Sequence, residues 1–238
     1  MEILVTICGR GGSKGVKNKN IKPLNGKPLI YYSINHALEF SKSFSNVTIA
    51  VSSDDNKIIT LANNYGIETE YIRPNKLATD NIGKVDVIKD LLFYHEKKKN
   101  LKFDIILDLD ISSPLRIASD LIKAFKMLTN DNESINLFSV SNPNRNPYFN
   151  VVELKPDGYC KLVKNSKVKS RQQAPIVFDM NASFYFYKRI FFSKNYQTVI
   201  TNKSLCFLMD HICFDIDHEI DFDIMNYLIQ TNKLGFKI

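Results

Sequence analysis

EILVTICGRGGSKGVKNKN, residues 2–20, sets an apolar, β-branched run directly against a bare cationic loop. Residues 2–8 have the pattern of a strand buried on both faces, as in a parallel sheet. The chain has nine glycines, and four of them (Gly9, Gly11, Gly12, Gly15) fall within residues 9–20, together with Arg10, Lys14, Lys17 and Lys19. Glycines permit close backbone approach, free N–H groups can face an anion, and the basic side chains add point charges. The stretch therefore predicts a phosphate-binding loop at the carboxyl end of a strand. A Walker A loop needs glycine at position 14, and so does the dinucleotide fingerprint G-x-G-x-x-G. Lys14 stands there, so both are excluded.

Outward from this stretch, strand and helix alternate for about 140 residues, the pattern of βαβ units with right-handed crossovers. A helix runs from Pro28 to about Phe40, and a strand spans Asn46–Val51. Asp54 is placed to cap a helix carrying Ile58, Ile59, Leu61 and Ala62, which Gly66 ends. A short strand near Glu68–Ile72, a helix near Val85–His95, a strand Phe103–Leu109, a helix from Asp120 to Leu128 and a strand Ile135–Val140 follow. The fold expected is α/β: a Rossmann-type doubly wound, mostly parallel sheet. Ligands of such sheets bind beyond the carboxyl ends of the strands, where residues 9–20, 52–55 and 110–116 converge. The alternation breaks at SNPNRNPYFN, residues 141–150, and Pro156–Gly158 is a turn signal. Residues 142–177 are thus expected to form an arm inserted in a single domain. Strands return at Ala182–Tyr187 and Leu205–Met209, and Glu219–Ile229 reads as a last helix.

The 238 residues are 44% hydrophobic and 24% charged, with a net charge of +7. That composition is globular, with an anionic partner favoured. No basic stripe with interleaved aromatics occurs, which argues against a nucleic-acid role. No leader or membrane-spanning run is evident, and four scattered cysteines fit a cytoplasmic protein. Cys206, His211, Cys213 and His218 cluster, but C-x4-H-x-C-x4-H is not a usual zinc spacing, and they read as structural.

The segment TICGRGGSKGVKNKNIKPLNGKPLIYYSI (6–34) resembles the N-terminal signature of acylneuraminate cytidylyltransferases. The resemblance continues through YIRPNKLATD (71–80), SSPLR (112–116), RNPYFN (145–150), RQQAPIVFDMNASFYFYKR (171–189) and FDIDHEIDF (214–222), six blocks in order over nearly the whole chain. It implies a nucleotidyltransferase with a dimerisation arm, acting on CTP and an acidic nine-carbon sugar with Mg²⁺. Arg10, Ser13, Lys14, Lys19 and Asn20 match the CTP-binding loop, with Lys19 as counter-charge to the α-phosphate. Asn20 and Arg73 match positions that recognise cytosine and its surroundings. Asp215 and Asp217 match the metal-binding pair; at i and i+2 on a strand they would share one hard cation. Asp221 and Asp223 repeat that spacing inside a helical pattern and read as solvated. Arg10, Lys19 and Asp217 are the expected catalytic set.

One departure bears on the substrate. Where sialic acid synthetases carry a glutamine in QPTSPLR, this chain has Asp110 in DLDISSPLR. Asp110 is therefore a candidate extra metal ligand or sugar contact. The change resembles the branch acting on legionaminic acid and related bacterial nonulosonic acids. Arg171 and Gln173, with Arg145, Tyr148 and Phe149 of the arm, are candidates for the sugar pocket, and the resemblance implies that some of them reach a neighbouring subunit's site in a homodimer. Three other readings are weighed. A CMP-Kdo synthetase would carry a different N-terminal loop, a dinucleotide-dependent oxidoreductase lacks its fingerprint here, and a non-catalytic nucleotide-binding protein would not need Lys19, Asp215 and Asp217.

Overall fold

A computed structural model describes residues 1–238. In chain order the elements are β1 (Ile3–Cys8), β2 (Pro23–Leu24), β3 (Lys27–Pro28), α1 (Leu29–Ser41), β4 (Val47–Ser52), α2 (Asn56–Asn64), α3 (Lys84–Lys99), β5 (Ile105–Leu109), α4 (Ala118–Asn130), β6 (Asn136–Ser141), β7 (Val152–Leu154), β8 (Cys160–Leu162), β9 (Asp179–Lys188), α5 (Arg189–Ser193), β10 (Ser204–Leu208) and α6 (Glu219–Gln230). Six strands form the central sheet in the order β10-β6-β9-β5-β1-β4. Only β9 runs antiparallel to its neighbours, so the expected mostly parallel α/β sheet is what the chain forms.

Alternation along β1 explains the double winding. Ile3, Val5 and Ile7 pack into one core with α1, α2, α4 and α6, whereas Leu4 enters a second core on the other face with α3 and α5. A strand that must fill both layers shows no solvated polar side, hence its apolar run, broken only by Thr6, whose hydroxyl is bonded within the sheet to Asp108. No helix is long and apolar enough to cross a membrane.

Three local expectations are corrected. Residues 68–72 form no strand beside β4. Arg73 N–H donates to the Ser53 carbonyl beyond β4 and the Thr69 hydroxyl reaches the Val51 carbonyl at 3.4 Å, so the segment meets the strand end through single contacts and not through a backbone ladder. The cap of α2 is Asp55, whose carboxylate accepts from Lys57 N–H at 2.8 Å, and not Asp54. The FDID segment is irregular rather than a strand, and Asp221 is not idle surface: its carboxylate accepts from Asp217 N–H (2.9 Å) and His218 N–H (2.7 Å), closing the entry to α6. Residues 142–177 contain the β7–β8 hairpin, turned at Gly158 with φ +85°. Val152, Leu154, Tyr159 and Ile176 stand exposed around it.

Candidate active site

β1 delivers residues 9–20 to the carboxyl edge of the sheet, and the loop is pinned there by the neighbouring strand end. Gly9 N–H donates to the Ser52 carbonyl (3.0 Å) and Gly11 N–H to Asp54 Oδ1 (3.1 Å). The loop borders a cleft of about 440 Å³ that also takes in Arg73, Asp80, Lys84, Asp110, Ser112 and Asp217. Packing bears on two of the glycines, and at Gly15 the obstacle is backbone. A Cβ on Gly9 would come within 2.6 Å of Ile111 Cδ1, and one on Gly15 would collide with the Asp217 carbonyl oxygen. Around Gly12 a Cβ would meet nothing within 4 Å.

The cations of the loop are not free-floating. Lys19 Nζ donates to the Ile216 carbonyl at 2.6 Å and lies 3.4 Å from Asp217 Oδ1, so the ammonium is fixed between the loop and the FDID segment. Arg10 pairs with Asp80 Oδ1, and Lys14 Nζ sits 2.5 Å from Asp80 Oδ2. Those two cations hold the Asp80 carboxyl below the usual carboxylate range. Asn20 is buried and donates to the Arg10 carbonyl at 2.9 Å. Ser13 lines the cleft. Arg73 is 5% exposed and braces the end of β4, with Nε to Ser52 Oγ at 2.9 Å and Nη2 to the Ser52 carbonyl at 2.8 Å.

Carboxylates stand beside these cations. Asp215 Oδ1 is buried and has no hydrogen-bond partner. Burial, with Asp110 and Asp217 as neighbouring charges, pushes the Asp215 carboxyl up to about 6. Asp110 behaves oppositely. Burial alone would raise it, but the Lys84 ammonium and the Ser112 N–H and O–H outweigh burial and hold it well below the usual range. Lys84 Nζ is 2.6 Å from Asp110 Oδ2 and 2.7 Å from Asp108 Oδ2. Behind them Arg116, fully buried, donates to the carbonyls of Asp110 and Ser113 and to Ser183 Oγ, clamping the 110–113 turn.

The cleft thus gathers Arg10, Ser13, Lys14, Lys19, Asn20, Arg73, Asp110 and Asp217 in one chain, with Asp215 just beneath. The arm residues lie apart from it. Arg145 and Arg171 both donate to the Asn144 carbonyl, Tyr148 and Phe149 are half-buried around Asn146, and Gln173 accepts from Lys169 N–H. Arg171 lines a second hollow with Asn142, Asn146, Ile176 and Phe178. Sequence reasoning missed Lys84, Asp108, Arg116 and Asp80. Asp108 carried a usable signal, the same i, i+2 carboxylate spacing in DLD that was read in FDID. Lys84 carried none, because its partners lie 24 and 26 residues away.

A family model described as "Cytidylyltransferase" matches residues 4–234. Over 236 residues, 99% of the chain and 98% of the relative, the sequence is 41% identical to a "Post-translational flagellin modification protein B" of Campylobacter coli. It is 40% identical, with the same coverage, to a "CMP-N,N'-diacetyllegionaminic acid synthase" of Campylobacter jejuni. Among solved structures, a CMP:2-keto-3-deoxy-manno-octonic acid synthetase complexed with CTP superposes with a TM-score of 0.67 at 15% identity, covering 98% of this chain and all of the other, a likeness of fold.

Proposed function

Because the chain belongs to the cytidylyltransferase family, we propose that it joins CMP from CTP to a nonulosonic acid of the legionaminic type, releasing pyrophosphate. The observation that carries this reading is the single cleft in which the glycine loop, the tethered Lys19 and Asp217 meet. The anomeric hydroxyl of the sugar attacks the α-phosphorus in line and pyrophosphate departs.

Each part of the cleft has a task in that step. The loop amides that donate to no group of the chain, those of Gly12 and Lys14 among them, take the triphosphate with the side chains of Lys14 and Arg10. Lys19 is held by the Ile216 carbonyl, so its charge is already in place where negative charge grows on the α-phosphate. Little covalent chemistry falls to the protein, which acts by positioning and by charge. No histidine lines the cleft, and none is assigned as a base.

A divalent cation fits the carboxylates. Asp215 Oδ1 is a buried oxygen with no donor, and its neighbour Asp217 is exposed on the same segment. No three protein ligands converge, so Asp215 and Asp217 would hold Mg²⁺ together with phosphate oxygens and water, as this ion ordinarily prefers. When bound it would polarise the α-phosphate. Arm residues Arg145, Tyr148, Phe149, Arg171 and Gln173 are assigned to the sugar, across a homodimer, since the arm lies apart from the cleft of its own chain.

Pyrophosphate release tests the reading. The assay uses CTP and Mg²⁺ with N-acetylneuraminic, legionaminic, pseudaminic and Kdo acids, and UTP and ATP as controls. Release with CTP and legionaminic acid or its diacetyl form is expected. Release with Kdo alone would transfer the chain to the other sugar class, and silence throughout, from protein that binds CTP, would reject the activity.

A further inference from the structure

Asp108 and Asp110 lie two residues apart at the end of β5 and face the same side of the sheet. Asp108 is fully buried. Its Oδ1 accepts from Thr6 Oγ1 at 2.7 Å and its Oδ2 lies 2.7 Å from Lys84 Nζ. Asp110 Oδ1 accepts from both the N–H (2.8 Å) and the hydroxyl (2.7 Å) of Ser112, and its Oδ2 takes Lys84 Nζ at 2.6 Å. Three of the four carboxylate oxygens accept hydrogen bonds within the chain, and the fourth, Asp108 Oδ2, accepts none but is ion-paired with Lys84. The ring of Tyr185 covers the ammonium from a third side, 5.2 Å from its centroid to Nζ. Lys84 is the first residue of α3, where a positive charge works against the helix dipole. Its favourable interactions are with the two carboxylates, not with its own helix.

We propose that Lys84 is a built-in counter-cation that reserves Asp110, so that the cleft accepts one exchangeable divalent cation, at Asp215 and Asp217, and none at the end of β5. This rests on the cation assigned above to Asp215 and Asp217. The contrast between the two carboxylate groups carries it: Asp215 Oδ1 has no donor, whereas Asp110 has three. A dication on Asp110 would have to displace Lys84, leaving buried Asp108 without its ammonium and two like charges side by side. Lys84 is thus a positioning residue, which fixes the charge and orientation of Asp110 beside the reacting groups.

The test is direct Mn²⁺ binding to the metal-free full chain with CTP present and no sugar, read by electron paramagnetic resonance against a blank of CTP alone. Wild type is expected to bind one Mn²⁺ per chain. Asp110→Asn, which keeps Lys84 with Asp108, should bind the same number with an affinity within about twofold. Asp215→Asn should lose the event. Lys84→Met should gain a second or tighter event, tightened about tenfold or more, that Lys84→Met/Asp110→Asn abolishes and Lys84→Arg does not show. A wild type with two sites, one lost in Asp110→Asn, overturns the proposal. So does a folded Lys84→Met, checked by circular dichroism, with unchanged binding. If Lys84→Met fails to fold, the Asp110→Asn comparison decides alone. Loss of Mn²⁺ from Asp110→Asn but not from Asp215→Asn would overturn this inference and leave cytidylyl transfer, judged by pyrophosphate release, standing. Binding of no Mn²⁺ by wild type would overturn the cation assignment itself.

Discussion

Gly15 lies where the phosphate loop crosses the FDID segment, so close that a single methyl would strike the Asp217 backbone carbonyl. Backbone cannot swing aside as a long side chain can, so Gly15→Ala must separate the loop from Asp217. That would move Lys19, tied to the preceding carbonyl at Ile216, away from its place. Gly15→Ala is expected to lower kcat/KM for CTP by about 100-fold, through the misplacement of pre-organised charge. Gly12→Ala, with open space around it, should stay within about threefold of wild type in the same steady-state assay. These two glycines look alike in the sequence, and only the contact with a segment two hundred residues later separates them. The residue type at most site positions was legible because phosphate loops and carboxylate pairs are local. Lys84 and Asp80 were not, because each acquires its role from charges brought by another element.

At the scale of elements, α4 and the segment after β10 are joined by Asp120 and His211. Asp120 is buried at the first turn of α4, and its Oδ2 lies 3.0 Å from His211 Nε2. Burial alone would lower the imidazole, but the hydrogen bond and charge of Asp120 outweigh it and raise His211 above its ordinary value. A histidine raised in the folded state contributes stability that is full below the unfolded value, near 6.5, and fades as pH rises through the raised one. His211→Ala should therefore lower Tm more at pH 6 than at pH 9, measured by calorimetry at both values. The same element scale shows where pattern reading stops. Long apolar strands such as β1 and β5 were readable because both faces are buried. The stretch 68–72 has the pattern of a strand, but it meets the end of β4 through the Thr69 side chain and not through a backbone ladder, which no periodicity records.

The whole molecule presents an arm that its own core does not cover. Leu154 is 74% and Ile176 86% exposed, and neither lies against the cleft. Apolar side chains grouped on a hairpin invite a partner, and a second copy of the chain is the partner assigned above. Light scattering should give about twice 27.4 kDa for the wild type. Leu154→Lys/Ile176→Lys should run as a folded monomer with at least about tenfold lower turnover, because Arg145 and Arg171 would no longer meet a neighbouring cleft. A dimeric double variant with full activity would sink the shared-site reading.

The Asp80 contact with Arg10 and Lys14 has a consequence at that same scale. The loop is not a bare cationic trap, because Arg10 and Lys14 already face an anion of the chain itself. On the reading proposed above, a triphosphate would enter by exchange with this tethered carboxylate. Such an exchange is selective: a weak or singly charged anion gains nothing over Asp80, whereas a polyphosphate with several negative oxygens does. The loop can therefore be strongly basic in sequence while part of that charge is already answered from within the chain.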